Sequence, residues 1–127
     1  MTNFPDLEVV LAELDYLGLR IKDVGLLASA LSRPQASAFG ADAYPDFELK
    51  AAALLHSMIK NHPMIDGNKR AAWIVLNFFC ALNDYDIVVG QDDAFAFIIG
   101  VATDQRDLPA MAAWLAQHLV KVGLNGD

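Results

Sequence analysis

Residues 47–82 read FELKAAALLHSMIKNHPMIDGNKRAAWIVLNFFCAL, and the way this stretch divides decides the fold. From Phe47 to Asn61, the residues Leu49, Ala52, Ala53, His56 and Ile59 fall on or near one face of a helix. His62-Pro63 ends that helix, because the residue before a proline is pushed away from helical dihedrals. A second helix then fits Asn68 to Leu82. Its apolar residues run nearly all the way round, the pattern of a central, enclosed helix.

Helical spacing continues on both sides of this pair. Leu7, Val10, Leu11 and Leu14 recur at intervals of three and four, which predicts a first helix from about residue 6 to 17. Asp23 is placed to cap a second helix carrying Leu26, Leu27, Ala30 and Leu31, ending near Arg33-Pro34. Between 34 and 46, Pro34, Gly40, Asp42 and Pro45 interrupt any period, so the segment reads as a loop. Its alternation is too weak to require a hairpin. Downstream, Asn83-Asp84-Tyr85-Asp86 is a turn and Ile87-Val88-Val89 a short apolar run, followed by helices over Asp92–Ala102 and Leu108–Val120. The expectation is an all-α fold: one domain over 1–127, a compact bundle of about six helices with a central buried helix after the 62–70 loop.

Composition narrows the function. Apolar residues make up 55% of the 127, enough for a core and too many for a disordered chain. The net charge of −7 lacks the basic footprint of a nucleic-acid binder, so direct nucleic-acid binding is not expected. Any anion must be held by a local site. Cys80 is the single cysteine, so no intramolecular disulfide can form, and its apolar neighbours make it a core thiol rather than a nucleophile. The N-terminus lacks a basic-then-apolar signal pattern and no uninterrupted apolar run reaches about 18 residues, so a cytoplasmic protein with no membrane partner is expected.

The local site is the loop. His62-Pro63-Met64-Ile65-Asp66-Gly67-Asn68-Lys69-Arg70 gathers a base, a carboxylate, a glycine, an amide and two cations where a helix begins. The first N–H groups of a helix lack internal partners, and the helix dipole adds positive potential there. Gly67 lets backbone approach an anion, while Lys69 and Arg70 bring positive charge, the arginine suited to bidentate phosphate contact. An imidazole such as His62 takes a proton from an attacking hydroxyl, and a carboxylate such as Asp66 can help hold a magnesium ion on phosphate oxygens. Phosphoryl transfer needs mainly such positioning and charge. The plainer reading of the loop is a solvated, charged turn with a helix-capping residue.

The loop also resembles the signature of the Fic/Doc family: His, often Pro, Phe, two variable positions ending in Asp or Glu, Gly or Ala, Asn, Gly or Lys, then Arg. His62, Pro63, Asp66, Gly67, Asn68, Lys69 and Arg70 carry that pattern. The resemblance extends to residues 23–34 and to Gly100-Val101-Ala102-Thr103 with the final helix. Met64 departs from the usual Phe, a side chain expected to face inward and anchor the loop. Two positions point to the Doc ("death on curing") toxins rather than to adenylyltransferases of the family. Lys69 stands in place of a glycine, and Trp73 in place of a second arginine.

For such toxins the resemblance implies an ATP-dependent kinase. It would pass the γ-phosphate to a protein hydroxyl, a threonine of elongation factor Tu, and so inhibit translation. By position, His62 is then the base, Asp66 a magnesium ligand, and Gly67, Asn68, Lys69 and Arg70 the nucleotide and phosphate contacts, with His62, Asp66 and Arg70 the catalytic set. ATP and Mg2+ are the implied cofactors. No stretch matches the family's inhibitory helix, so a Phd-like antitoxin supplied in trans is the implied partner. The segment 34–46 corresponds to a flap that docks the target, for which Phe39 and Tyr44 are available, and a plain connector fits it as well. Two other readings stay open: nucleotidylyl transfer (AMP to protein) on the same scaffold, and a catalytically silent binding module.

Other residues have plain readings. His56 fits a hydrogen-bonded core histidine and His118 a boundary residue, while Trp73 and Trp114 fit helix packing better than base stacking. Lys60 and Asn61 are within reach of a phosphate held by the loop, though one helix-end cation proves little.

Overall fold

The computed structural model of the chain describes residues 1–123, so residues 124–127 of the expected 1–127 domain lie outside the described residues. Six helices carry it: α1 (Leu7–Tyr16), α2 (Val24–Ser32), α3 (Phe47–Asn61), α4 (Asn68–Leu82), α5 (Gln91–Ala102) and α6 (Leu108–His118). A 3-10 turn at Arg33–Gln35 and four short strands complete it: β1 (Ser37–Ala38), β2 (Ala41–Asp42), β3 (Tyr85–Ile87) and β4 (Leu119–Lys121). The mostly helical bundle read from the sequence is what the chain forms.

Capping and apolar spacing explain the helix ends. The Asp23 carboxylate accepts from Leu26 N–H at 3.1 Å, and Asp107 caps α6 by accepting from Ala110 N–H at 2.9 Å. Leu27, Ala30 and Leu31 form the buried face of α2, and Val10 and Leu14 that of α1. α3 stops at His62, which takes a left-handed conformation (φ 50°) immediately before Pro63.

α3 is the axle of the bundle, packing against α2, α4, α5, α6 and the 3-10 turn. Ala51 to Leu55 are five consecutive buried residues, so the helix is enclosed on every side at that level. α4 packs beside it, and none of its residues from Ala71 to Cys80 is exposed. Phe79 of α4 stacks with Phe4 at 5.8 Å and packs against Phe47 at 5.0 Å, tying the N-terminus and the start of α3 to the core. The Asn83 amide fastens the same N-terminal segment, accepting from Asn3 N–H at 2.7 Å and donating to Asn3 O at 2.8 Å.

Three segments differ from the sequence reading. Tyr85 and Asp86, read as part of a turn, lie in β3. The helix expected to reach Val120 ends at His118; Leu119–Lys121 instead pair antiparallel with Tyr85–Ile87, Leu119 opposite Ile87. A lone strand leaves its N–H and C=O groups unpaired, and the end of the chain supplies the missing ladder. Residues 37–42 form a minimal hairpin, with Phe39 and Gly40 at its tip in left-handed conformations (φ 55° and 80°). Its root is held from α3 by Lys50, only 4% exposed, whose ammonium donates to Asp42 Oδ2 at 3.1 Å and to the Tyr44 carbonyl.

Candidate active site

The turn between α3 and α4 is pinned to the chain before α2. Lys22 and Asp23 N–H groups both donate to Pro63 O, at 2.8 and 3.1 Å, and Ile65 N–H donates to Arg20 O at 3.0 Å. Met64 bridges Ile21 and points inward, 1% exposed and part of the core. It therefore fills the anchoring place expected of the usual Phe. Pro63 is buried beside it, while Ile65 and Asp66 face outward. Alternating anchors and exposed groups hold the loop as a shelf.

At the end of the shelf, Gly67 sits at φ 72° as the N-cap of α4. A Cβ there would lie 3.0 Å from Leu19 Cδ2, so both conformation and space call for glycine. No side chain caps this helix and no acidic residue lies in its first turn, which leaves its positive end open to an external anion. Asn68 turns its amide back into the loop: Oδ1 accepts from Met64 N–H at 2.9 Å and Nδ2 donates to Met64 O at 3.2 Å. Its side chain thus shapes the loop, and its backbone N–H is what it can offer a ligand. Asp66 Oδ1 accepts from Gly67 N–H at 2.8 Å.

A cavity of about 670 Å³ opens on this surface, within the range of small-molecule sites. His62, Asp66, Gly67, Asn68, Lys69 and Arg70 all border it, so the structure places every sequence-predicted site residue around one space. Lys69 and Arg70 are exposed and, among the described residues, in no ion pair. In a chain of net charge −7, these two cations stand at a helix start whose dipole adds positive potential.

The opposite wall was not legible in the sequence. Gln91, Ala94, Phe95 and Ile98 of α5 line it, at spacings of three, one and three residues, together with Trp73 of α4. The available signal was a second apolar stripe on α5 beside its buried face of Phe97, Ile98 and Val101. Trp73 both packs against the core and borders the cavity.

Lys60 is committed elsewhere, paired with Asp104 and donating to Ala102 O at 3.3 Å. Asn61 is likewise engaged, its amide donating to Leu26 O at 3.1 Å. His56 is half-buried, its Nδ1 2.8 Å from Arg33 Nη1. Guanidinium only donates, so Nδ1 accepts and the ring is neutral. Burial, then the charges of Arg33 and Lys60, hold its pKa below the ordinary 6.5, against a weaker upward pull from Asp104. The same guanidinium donates to Ser57 Oγ at 2.9 Å and, through Nε, to the Tyr44 hydroxyl at 3.0 Å. Tyr44 is thereby fixed at the root of the hairpin, whereas Phe39 at its tip is fully exposed. Trp114 is stacked between Phe97 and His118, with centroids 3.8 and 4.0 Å apart. Cys80 is buried and its thiol is pushed up to about 12 by desolvation.

Magnesium fits this site in a limited way. Asp66 has one oxygen occupied by Gly67 N–H and is otherwise exposed, so it offers one hard oxygen ligand. Among the described residues no group of three or more His, Cys, Asp or Glu converges. A carboxylate completed by substrate phosphates and water is how magnesium is commonly held. No helix among the described residues is long and apolar enough to cross a membrane.

A sequence model of the Fic/DOC family matches residues 6–80, through the loop and into α4. The chain is similar to the protein named Toxin Doc of Mycolicibacterium smegmatis, at 42% identity over 125 residues, covering 91% of this chain and 93% of that one. No solved structure gives a significant match.

Proposed function

The chain belongs to the Fic/DOC family, whose members typically are enzymes that transfer groups onto proteins, and from that membership we propose a Doc-type toxin kinase. It moves the γ-phosphate of ATP to a hydroxyl of a protein, a threonine of elongation factor Tu, and thereby halts translation in the cytoplasm. A Phd-like antitoxin restrains it in trans. The likeness to a protein named Toxin Doc supports the toxin role, and the observation that carries the phosphate chemistry is the shared cavity. One space is bordered by a base, a carboxylate, an uncapped helix start and two uncommitted cations.

In this reading His62 accepts the proton of the target hydroxyl as its oxygen bonds to the γ-phosphorus. The bond from that phosphorus to the β-γ bridging oxygen breaks, and ADP leaves. Arg70, Lys69 and the N–H groups at the start of α4 hold the phosphate oxygens as charge shifts onto the leaving group. Asp66 would hold the magnesium, which when bound supplies charge neutralisation between phosphates. Lys69 supports phosphate rather than AMP transfer, because its side chain occupies and charges a subsite that a glycine leaves open.

The test mixes the chain with elongation factor Tu, magnesium and ATP labelled at either the α- or the γ-phosphate. Label from the γ position appearing on the factor, and lost in Arg70→Ala, is expected. Transfer of α label instead would replace the kinase with a nucleotidylyltransferase, and absence of both binding and transfer would leave a silent module.

A further inference from the structure

The chain has 9 basic side chains against 16 acidic ones, and most of the basic ones are engaged. Arg33, Lys50 and Lys60 are bonded within the fold, while Arg106 lies over the Phe97 ring and Lys121 over the Tyr85 ring. Lys69 and Arg70 border the cavity. Two remain: Arg20 and Lys22 are exposed and, among the described residues, in no ion pair. Both sit on the segment that pins the 62–70 loop. We propose that this pair docks an acidic, extended segment of the protein whose hydroxyl accepts the phosphate. The proposal rests on the phosphotransfer reading above and names the chemistry of the acceptor.

Position carries the argument. Ile21 bridges Met64 and packs against the core, and the bonds from Lys22 N–H to Pro63 O (2.8 Å) and from Ile65 N–H to Arg20 O (3.0 Å) set the two segments side by side. Lys22 is therefore beside Pro63, one residue from His62, and Arg20 is beside Ile65, one residue from Asp66. Side chains alternate along an extended segment, so the two cations share the outward side, about 7 Å apart along the backbone. The carboxylates of the same two segments are turned to backbone: Asp23 accepts from Leu26 N–H and Asp66 from Gly67 N–H. Ile65, exposed and bordering the cavity, adds an apolar contact beside Arg20. The phosphates have their own cations in Lys69 and Arg70, and neither Arg20 nor Lys22 borders the cavity, so this pair is left for the other substrate. Carboxylates at alternate positions of an extended chain have the same spacing, and complementarity of this kind selects and orients a partner.

Two fluorescent threonine peptides, identical except for Glu or Gln at two alternate positions, test this by anisotropy with the full-length chain, and ATP affinity is titrated in parallel. At low salt the Glu peptide should bind about fivefold more tightly, the order expected of two exposed ion pairs, and high salt should remove the advantage. Arg20→Gln combined with Lys22→Gln should abolish the difference and leave ATP affinity unchanged. Both residues are exposed, so the fold should survive, which circular dichroism checks. Lys121→Gln, which removes a charge elsewhere, should keep the preference. Equal binding of the two peptides, binding of neither, or a preference lost equally in Lys121→Gln would overturn the docking site. A single-stranded RNA of equal charge that binds more tightly than the Glu peptide, and is released by the same double substitution, would also overturn it and make the pair a nucleic-acid contact. A wild-type chain that binds no ATP would overturn the phosphotransfer reading itself, and this inference with it.

Discussion

One side-chain amide, that of Asn68, grips the backbone of Met64 by both its N–H and its C=O, at 2.9 and 3.2 Å. This closes the loop into the first turn of α4 and keeps the buried Met64 and the exposed Asp66 in register. Asn68→Ala removes two hydrogen bonds and should cost about 1–3 kcal/mol, read by urea unfolding. Asn68→Asp can still accept from Met64 N–H but cannot donate to its carbonyl. It also brings negative charge to the anion end, so it should lose phosphate binding at least as severely as the alanine variant.

Gly67 offers a sharper separation of fold from function. Its φ of 72° and the 3.0 Å approach to Leu19 mean that Gly67→Ala strains the turn between loop and helix. The cost should be about 1–3 kcal/mol. A lowered melting temperature with a clear loss of ATP affinity is expected by calorimetry. Unchanged affinity would remove this backbone from the phosphate site.

Acid should loosen the hairpin root. The unfolded His56 binds its proton near 6.5, whereas in the folded chain burial and Arg33 hold its pKa lower. Between those two values the unfolded chain holds more protons, so stability is greatest above 6.5 and declines as pH falls through the window. Melting temperatures from pH 7.5 to 5 should show this decline. His56→Asn, which still offers Arg33 an acceptor, should flatten that part of the profile.

Cys80 should be inert in the folded protein. A buried thiol with its pKa near 12 presents almost no thiolate at neutral pH. Thiol reagents should label it slowly in the native state and rapidly in urea. Fast native labelling would contradict its burial.

The helical bundle and the 62–70 loop were legible because both are written in local spacing. Met64, Asp66 and Gly67 lie within four consecutive positions, and the cap at Asp23 lies within a turn of the group it binds. What pairs across long separations was not legible. No local spacing around Lys50 shows that the fold closes Asp42 and Tyr44 over it. Leu119 and Val120 read as the end of a helix until β3 offers them a ladder.

The candidate site divides in the same way. By itself the sequence determined which residues make the loop end of the cavity, because loop, glycine and helix start are contiguous. Only the tertiary structure decided that α5 completes the cavity and that Asn68 spends its side chain on Met64 rather than on a ligand. Helix–helix packing sets which of two apolar stripes faces a cavity and which the core, and no spacing within one helix records its neighbour's position.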